Sequence, residues 1–183
     1  MHDRWFISDH HFGHANMLRF TNGDGTLVRP GFDDVNHMDE FMIERWNSVV
    51  KPHDVVHHLG DICFSQTHLT KILPRLNGRK YLVLGNHDRM SAGFYAKNFQ
   101  KVRGWFHYTE PDAAIICTHC PLHESSFLGR YEGTCVNVHG HIHARRIPST
   151  KFINVSVECV DYTPVHYDTL MKAARRAADK PQE

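Results

Sequence analysis

No long apolar run occurs in this chain. Its hydrophobic stretches stop well short of the ~20 consecutive apolar residues that a membrane-spanning helix needs. The opening residues, MHDRWFISD, lack the apolar core of a secretory leader. An excess of one charge is missing too: 21 Lys and Arg stand against 20 Asp and Glu, a formal net charge of +1. No broad basic field is therefore expected for long nucleic acid. Cysteine is scarce and odd in number, at five. Without a leader, no disulfide framework is expected, and the chain reads as cytoplasmic with reduced thiols. One CxxC occurs, Cys117 to Cys120. It has no second pair to complete a zinc knuckle, and Pro121 follows where a thioredoxin-like motif would open its helix. Repeats, low-complexity tracts and linkers are lacking as well.

Histidine is what the chain has in excess: 17 residues, against 11 Phe and 6 Tyr. Neutral imidazole is the commonest protein ligand for transition metals. Three histidines fall at alternate positions in VNVHGHIHAR (136–145): His139, His141 and His143. On an extended strand alternate side chains share a face, so the pattern predicts three neighbouring rings. Buried and unpaired, they would cost free energy; a metal would give them partners.

With 41% hydrophobic and 22% charged residues over 183 positions, the chain predicts one globular domain, 1–183. Residues 4–8, 54–59 and 80–85 read as strands. Helical patterns at 35–50 and 66–76 lie between them, the second ended or kinked by Pro74. A short helix is expected at 94–99. Beyond residue 100, GWFHYTE, AAIICTH, CVNVHGH and FINVSVECVD are mostly β-like, and a helix over about 167–178 leads into a polar tail, DKPQE. A βα half followed by a β-rich half predicts two facing sheets with helices outside. Residues 21–34, rich in Gly, Asp and Asn, predict a long surface loop of a functional kind.

Polar residues collect where strands end. Asp9 and His11 follow the first run, Gly60-Asp61 the second, and Gly85-Asn86-His87-Asp88 the third. Thr118-His119 follows AAIIC, and Gly140-His141-Ile142-His143 follows CVNV. In open α/β sheets, ligands bind beyond the carboxyl ends of strands. The glycines before Asp61, Asn86 and His141 allow sharp turns and close backbone approach. Each ending alone is weak, since a strand-end Asp often only caps a helix. Five in order make a strong set.

That set resembles the calcineurin-like metallophosphoesterase superfamily, whose DxH, GD, GNHD, H and GHxH pattern reads here as DHH (9–11), GD (60–61), GNHD (85–88), TH (118–119) and GHIH (140–143). The resemblance spans residues 5 to about 160. It looks closest to small stand-alone bacterial and phage phosphoesterases, through SDHHFGHANML, RPGF (29–32), RWN (45–47) and VVHHLGD (55–61). It implies an α/β fold, a four-layer α/β/β/α sandwich of two mixed β-sheets flanked by helices. It also implies two divalent metal ions: Mn²⁺ first, with Fe, Ni²⁺, Zn²⁺ or Mg²⁺ as alternatives. By that resemblance Asp9, His11, Asp61 and His143 hold one ion. Asp61, Asn86, His119 and His141 hold the other, with Asp61 bridging. Some members carry a further Asp as GDxxD; Phe64 stands there in this chain, so no role of that kind is assigned.

The implied activity is hydrolysis of phosphoesters by a water shared between the ions, with His87 as general acid and Asp88 orienting it. The expected substrate is a small phosphodiester or nucleotide, or a nucleic-acid end. The alternatives are a phosphomonoesterase, a nucleotide phosphatase, or a metal-binding scaffold for a protein partner. Arg29, Arg89 and Arg145 are candidate substrate contacts, because a guanidinium suits bidentate phosphate binding, and His14 is another because it lies beside the first motif. His10, His57, His58 and His139 are expected to act as supporting histidines, one step back from the ligands.

Overall fold

The computed structural model describes residues 2–127 and 134–178. Strands β1 (Arg4–Ile7), β2 (Val55–His58), β3 (Arg79–Val83) and β4 (Lys101–Arg103) run parallel, in the order β4-β3-β2-β1. A second sheet holds β5 (Phe106–Thr109), β6 (Ala114–Cys117), β7 (Cys135–His139) and β8 (Phe152–Asn154). In it β5 is antiparallel to β6, and β6, β7 and β8 are parallel. Strand β9 (Val165–His166) returns to the first sheet, antiparallel to β1. Both sheets are therefore mixed, and helices flank them.

The strands are buried on both sides, which explains why they read as short continuous apolar runs. Alternation along β1 sends Ile7 to the outer core and Phe6 to the core between the sheets. The outer core is covered by α1 (Val35–Val49), α2 (Gln66–Ile72) and α3 (Ala92–Asn98). Helix α1 starts where the Asp34 carboxylate accepts the His37 N–H at 2.8 Å. It buries Met38, Met42 and Trp46, each four residues from the next. Each is worth about 1.5–3 kcal/mol in burial. Trp46 Nε1 donates to the Asn77 carbonyl at 3.0 Å, so the indole carries no unsatisfied proton inward. Ser65 and Ser91 cap α2 and α3 in the same way. Pro74 ends the α-helical hydrogen bonding of α2, which continues as a 3-10 turn, Leu73–Arg75.

Between the sheets, Phe6, Leu59 and Val83 meet Ile115, Val136 and Val138. Helix α4 (Tyr167–Ala178) adds Leu170, Met171 and Ala174 to this core. Among the described residues, the far face of the second sheet carries a small cluster, Ala114 and Cys135 with Leu122 and Phe152 against it. Strands β4 and β9 were not anticipated; they have three and two residues, too short to show a period. The DKPQE tail lies outside the described residues. No helix among those described is long and apolar enough to cross a membrane.

Candidate metal centre

The carboxyl ends of β1, β2 and β3 in one sheet and of β6 and β7 in the other open onto one rim. Backbone hydrogen bonds continue past the strands and tie the segments together. Asp9 N–H donates to Gly60 O at 3.0 Å, His11 N–H to Asp61 O at 3.1 Å, and Gly140 N–H to His119 O at 2.9 Å. Asp9, His11, Asp61, His141 and His143 all have left-handed backbone, with φ of 61°, 51°, 56°, 69° and 51°. Each such residue costs on the order of 1 kcal/mol or more. Among the described non-glycine residues only Asp161 and Tyr162 share it. Strain concentrated on one constellation marks a site held for its chemistry. Glycine is required beside it. At Gly60, φ is +98°, and a Cβ would stand 2.6 Å from His119 Nδ1 and 2.7 Å from the Gly85 backbone. At Gly140 a Cβ would collide with Ser8 and the Asp9 carboxylate.

Among the described residues three groups bring their potential ligand atoms within 4.8 Å of one another: Asp9, His11 and His143; Asp9, Asp61 and His119; and His119, Cys120 and His141. Asn86 Oδ1 sits 2.9 Å from both His119 Nε2 and His141 Nδ1. All seven residues expected as ligands are thus brought together. Cys120 joins them, although its CxxC carried no metal expectation.

The donor set fits divalent cations. His11 is buried with neither ring nitrogen hydrogen-bonded. Such an orphaned group costs roughly 1–3 kcal/mol, and a cation would supply its partner. Burial, reinforced by Arg29, lowers the His11 pKa to about 2, so the ring stays neutral and able to ligate. Burial acts to raise the Asp61 pKa. Contacts with His119, the His87 N–H (2.8 Å) and His11 outweigh it and hold the carboxyl at about 2. The Asp9 carboxylate accepts from Ser8 Oγ (2.5 Å), Ser156 Oγ (3.0 Å) and the His141 N–H (3.0 Å). Mixed carboxylate, amide and imidazole ligands suit Mn²⁺, Fe or Zn²⁺ without selecting strongly among them.

Other placements differ from expectation. Arg29 is no substrate contact. It is buried, donates to the carbonyls of Asp9 (2.5 Å) and His10 (2.7 Å), and pairs with Glu158 at 2.8 Å. Its donors are spent shaping the backbone of the first motif. Asp88 does not orient His87. Its carboxylate accepts the N–H groups of Gly85 and Asp61 at 2.8 Å each and of Ile62 at 3.2 Å, locking two ligand loops together. His139 does not share a face with His141 and His143. Strand β7 ends at His139, whose Nδ1 bonds the Gly140 carbonyl, and the left-handed residues beyond it break the alternation. His10 and His58, by contrast, sit one step back from the rim, bonded to each other at 2.8 Å, with His58 Nδ1 accepting the Gly60 N–H at 3.2 Å.

Glu158 went unrecognised in the sequence. It follows β8 in a 3-10 turn, and its Oε1 meets His143 Nδ1 at 3.0 Å. A carboxylate behind an imidazole fixes ring orientation and tautomer. Its partners are 15 and 129 positions away, so no local motif announced it.

Beside the rim opens a cleft of about 590 Å³, reaching His11, His143 and His87. His14 and Arg145 also line it, whereas Arg89 is exposed and donates to the Asn86 carbonyl at 3.1 Å. The 21–34 segment is built, not loose. Thr21 bridges Leu27, Val28 N–H donates to Phe20 O at 2.8 Å, and Asp24 caps the turn at Thr26. One wall of the cleft comes from it.

No family model matches the chain. An uncharacterized protein of Methanocaldococcus jannaschii is 33% identical over 178 residues, covering 92% of this chain and 89% of that protein. The gene 66 protein of Mycobacterium phage L5 is 37% identical over 92 residues, 48% of this chain and 41% of its own. The crystal structure of a protein of unknown function from Aquifex aeolicus superposes with a TM-score of 0.72 at 25% identity, covering 94% of this chain and 99% of that one.

Proposed function

We propose, for a chain that belongs to the same family as the M. jannaschii protein, a metal-dependent hydrolase of phosphoester bonds with small phosphodiesters or nucleotides as its substrates. The observation that carries this reading is the convergence of strained strand-end ligands around His11, whose two nitrogens are buried without partners. Two divalent cations held by Asp9, His11, Asp61, Asn86, His119, His141 and His143 would supply positive charge for a phosphate and lower the pKa of a shared water.

The chain's own residues then have separable tasks. Asp61, held ionised, lies between the two histidine groups, with His11 and His119 at 3.7 and 3.4 Å from its Oδ2. Its Oδ1 accepts the His87 N–H, which sets the backbone from which the His87 ring projects to the cleft. That ring stands 5.7 Å from the His11 ring, close enough to hold a proton beside the ester's leaving oxygen. Asp88 serves this geometry through the backbone. Phe64, Ile142 and Val28 form apolar wall on that side.

Hydrolysis of bis(p-nitrophenyl) phosphate and p-nitrophenyl phosphate by metal-stripped protein, resupplied with Mn²⁺, Ni²⁺, Zn²⁺ or Mg²⁺ singly, tests this. Metal-dependent turnover that Asp61→Asn abolishes is expected, with the diester faster. A faster monoester would recast the protein as a phosphatase. No turnover with any metal, despite about two ions bound, would replace the hydrolase with a metal-binding scaffold.

A further inference from the structure

The cleft beside the metal centre has a feature that phosphoester hydrolysis does not require. Two aromatic side chains, Phe20 and Phe64, are 47% and 43% exposed on its lining, where isolated apolar rings meet water at a cost. Phe64 stands three residues after Asp61, so the loop that follows β2 brings an aromatic ring to the cleft. Its ring stacks on His11 at 5.3 Å and stands edge-on to His87 at 4.8 Å. His14 stands edge-on to both phenylalanines, 4.5 Å from Phe64 and 5.9 Å from Phe20. The three rings form a continuous aromatic corner directly beside the group placed to protonate the leaving oxygen.

The geometry points to a base-binding subsite: this cleft takes the planar heterocycle of a nucleoside phosphoester, stacked against Phe20 and Phe64, while the phosphate lies at the metal centre. The proposal rests on the phosphoesterase reading and names its substrate class. Three observations favour a nucleobase over an acyl chain or a bare sugar. The volume, about 590 Å³, falls in the range of small-molecule pockets and is closed in by the 20–28 segment. The aromatic corner offers ring faces and edges, which bind flat π-systems irrespective of base identity. The lining also includes Thr21, Asn22 and Arg145; the Asn22 amide nitrogen already donates to Thr26 Oγ1 at 3.1 Å, which leaves its Oδ1, the Thr21 hydroxyl and the Arg145 guanidinium to meet the polar edge of a base. A purely apolar ligand would cover the Thr21 hydroxyl and the Arg145 guanidinium without matching them.

The test compares thymidine 5′-(p-nitrophenyl phosphate) with ethyl p-nitrophenyl phosphate, which share a leaving group and differ in the base. The Mn²⁺-loaded full chain should prefer the thymidine ester in kcat/KM. Phe20→Ala and Phe64→Leu should each reduce that preference about tenfold, mainly through KM. Phe20 is half-exposed, so its variant tests binding without endangering the fold. An unaltered preference in both variants would overturn the proposal. Binding of thymidine 5′-monophosphate by calorimetry separates this proposal from the one beneath it. If no ester is hydrolysed but the nucleotide binds and Phe20→Ala weakens it tenfold, the hydrolase fails and the base subsite stands. If ribose 5-phosphate binds as tightly as the nucleotide, the rings do not read a base. If octyl phosphate binds more tightly than both, the cleft is an acyl site. Either of those last results rejects the proposal.

Discussion

His10 and His11 are neighbours in the chain and have opposite surroundings. His10 is buried on the outer-core side, bonded to His58 at 2.8 Å and stacked on Phe12 at 4.7 Å. His11, one residue on, has left-handed backbone and two orphaned ring nitrogens facing Asp61 and His143. The pattern repeats across the molecule. His57, His58 and His139 lie within strands and bond Tyr108, His10 and the Gly140 carbonyl. His119, His141 and His143 lie just past strand ends and converge. His10 apart, which lies past β1 and yet turns into the outer core, position relative to a strand's end separates the histidines that pack within the fold from those that converge on the rim. Within a strand the backbone sends the ring into a packed layer, where it needs a protein partner. Beyond the end, a left-handed residue can turn it into the rim.

The largest effect expected across this divide is at Asp61. Asp61→Asn should bring metal-dependent phosphodiester turnover below detection and lower bound metal measured by elemental analysis; an active variant would remove Asp61 from the centre. His87→Ala should cost roughly 10²–10⁴-fold in kcat while bound metal is unchanged, which separates the proton donor from the ligands around it. Glu158→Gln should weaken metal binding about 10–100-fold, through lost orientation of His143. It should also lower stability by about 3 kcal/mol, because Arg29 is left buried without its counter-charge; urea unfolding alongside metal titration would read both.

The strand-interior histidines should show themselves in acid instead. Burial holds His57 and His58 at about 3, far below the 6.5 of an exposed imidazole. The unfolded chain then takes up protons before the folded one does. Stability from these groups is complete above about pH 6.5, falls as pH drops, and levels off near pH 3, each histidine contributing a slope of up to ~1.4 kcal/mol per pH unit. Urea titrations of metal-free protein at pH 7.5, 6 and 5 should show that decline, and His57→Gln should flatten it. A pH-independent midpoint would mean that neither ring is held neutral. The smallest effect is expected at His139. His139→Gln keeps an acceptor and a donor on the far face of the second sheet, so it should change stability by about 1 kcal/mol or less and leave metal stoichiometry intact. Loss of an ion there would erase the distinction between the two classes of histidine.

Much of this was visible before the fold. The strands with continuous apolar runs, the α1 stripe of Met38, Met42 and Trp46, the break at Pro74 and the polar residues after each strand follow from local rules of period, capping and turn chemistry. What escaped depended on residues distant in sequence. Arg29 looked like an exposed arginine in a glycine-rich loop, yet the carboxylate that buries it is Glu158, 129 positions away. Asp88 sat beside His87 and invited a partnership, but adjacent residues on a turn point apart, and its carboxylate went to three backbone N–H groups across the loop. His139, His141 and His143 promised one face only while the strand was assumed to run through them.

The chain by itself determined which side chains can perform the chemistry and where along the strands they fall, because both are properties of residue type and spacing over a few positions. Tertiary structure alone decided which of them meet. It bent five ligand positions into left-handed backbone, spent Arg29 and Asp88 on holding loops, and placed Glu158 behind His143. It also set an aromatic corner beside the rim. Those outcomes depend on packing two sheets against each other, a balance of contacts between segments 15 to 132 residues apart that no local pattern encodes.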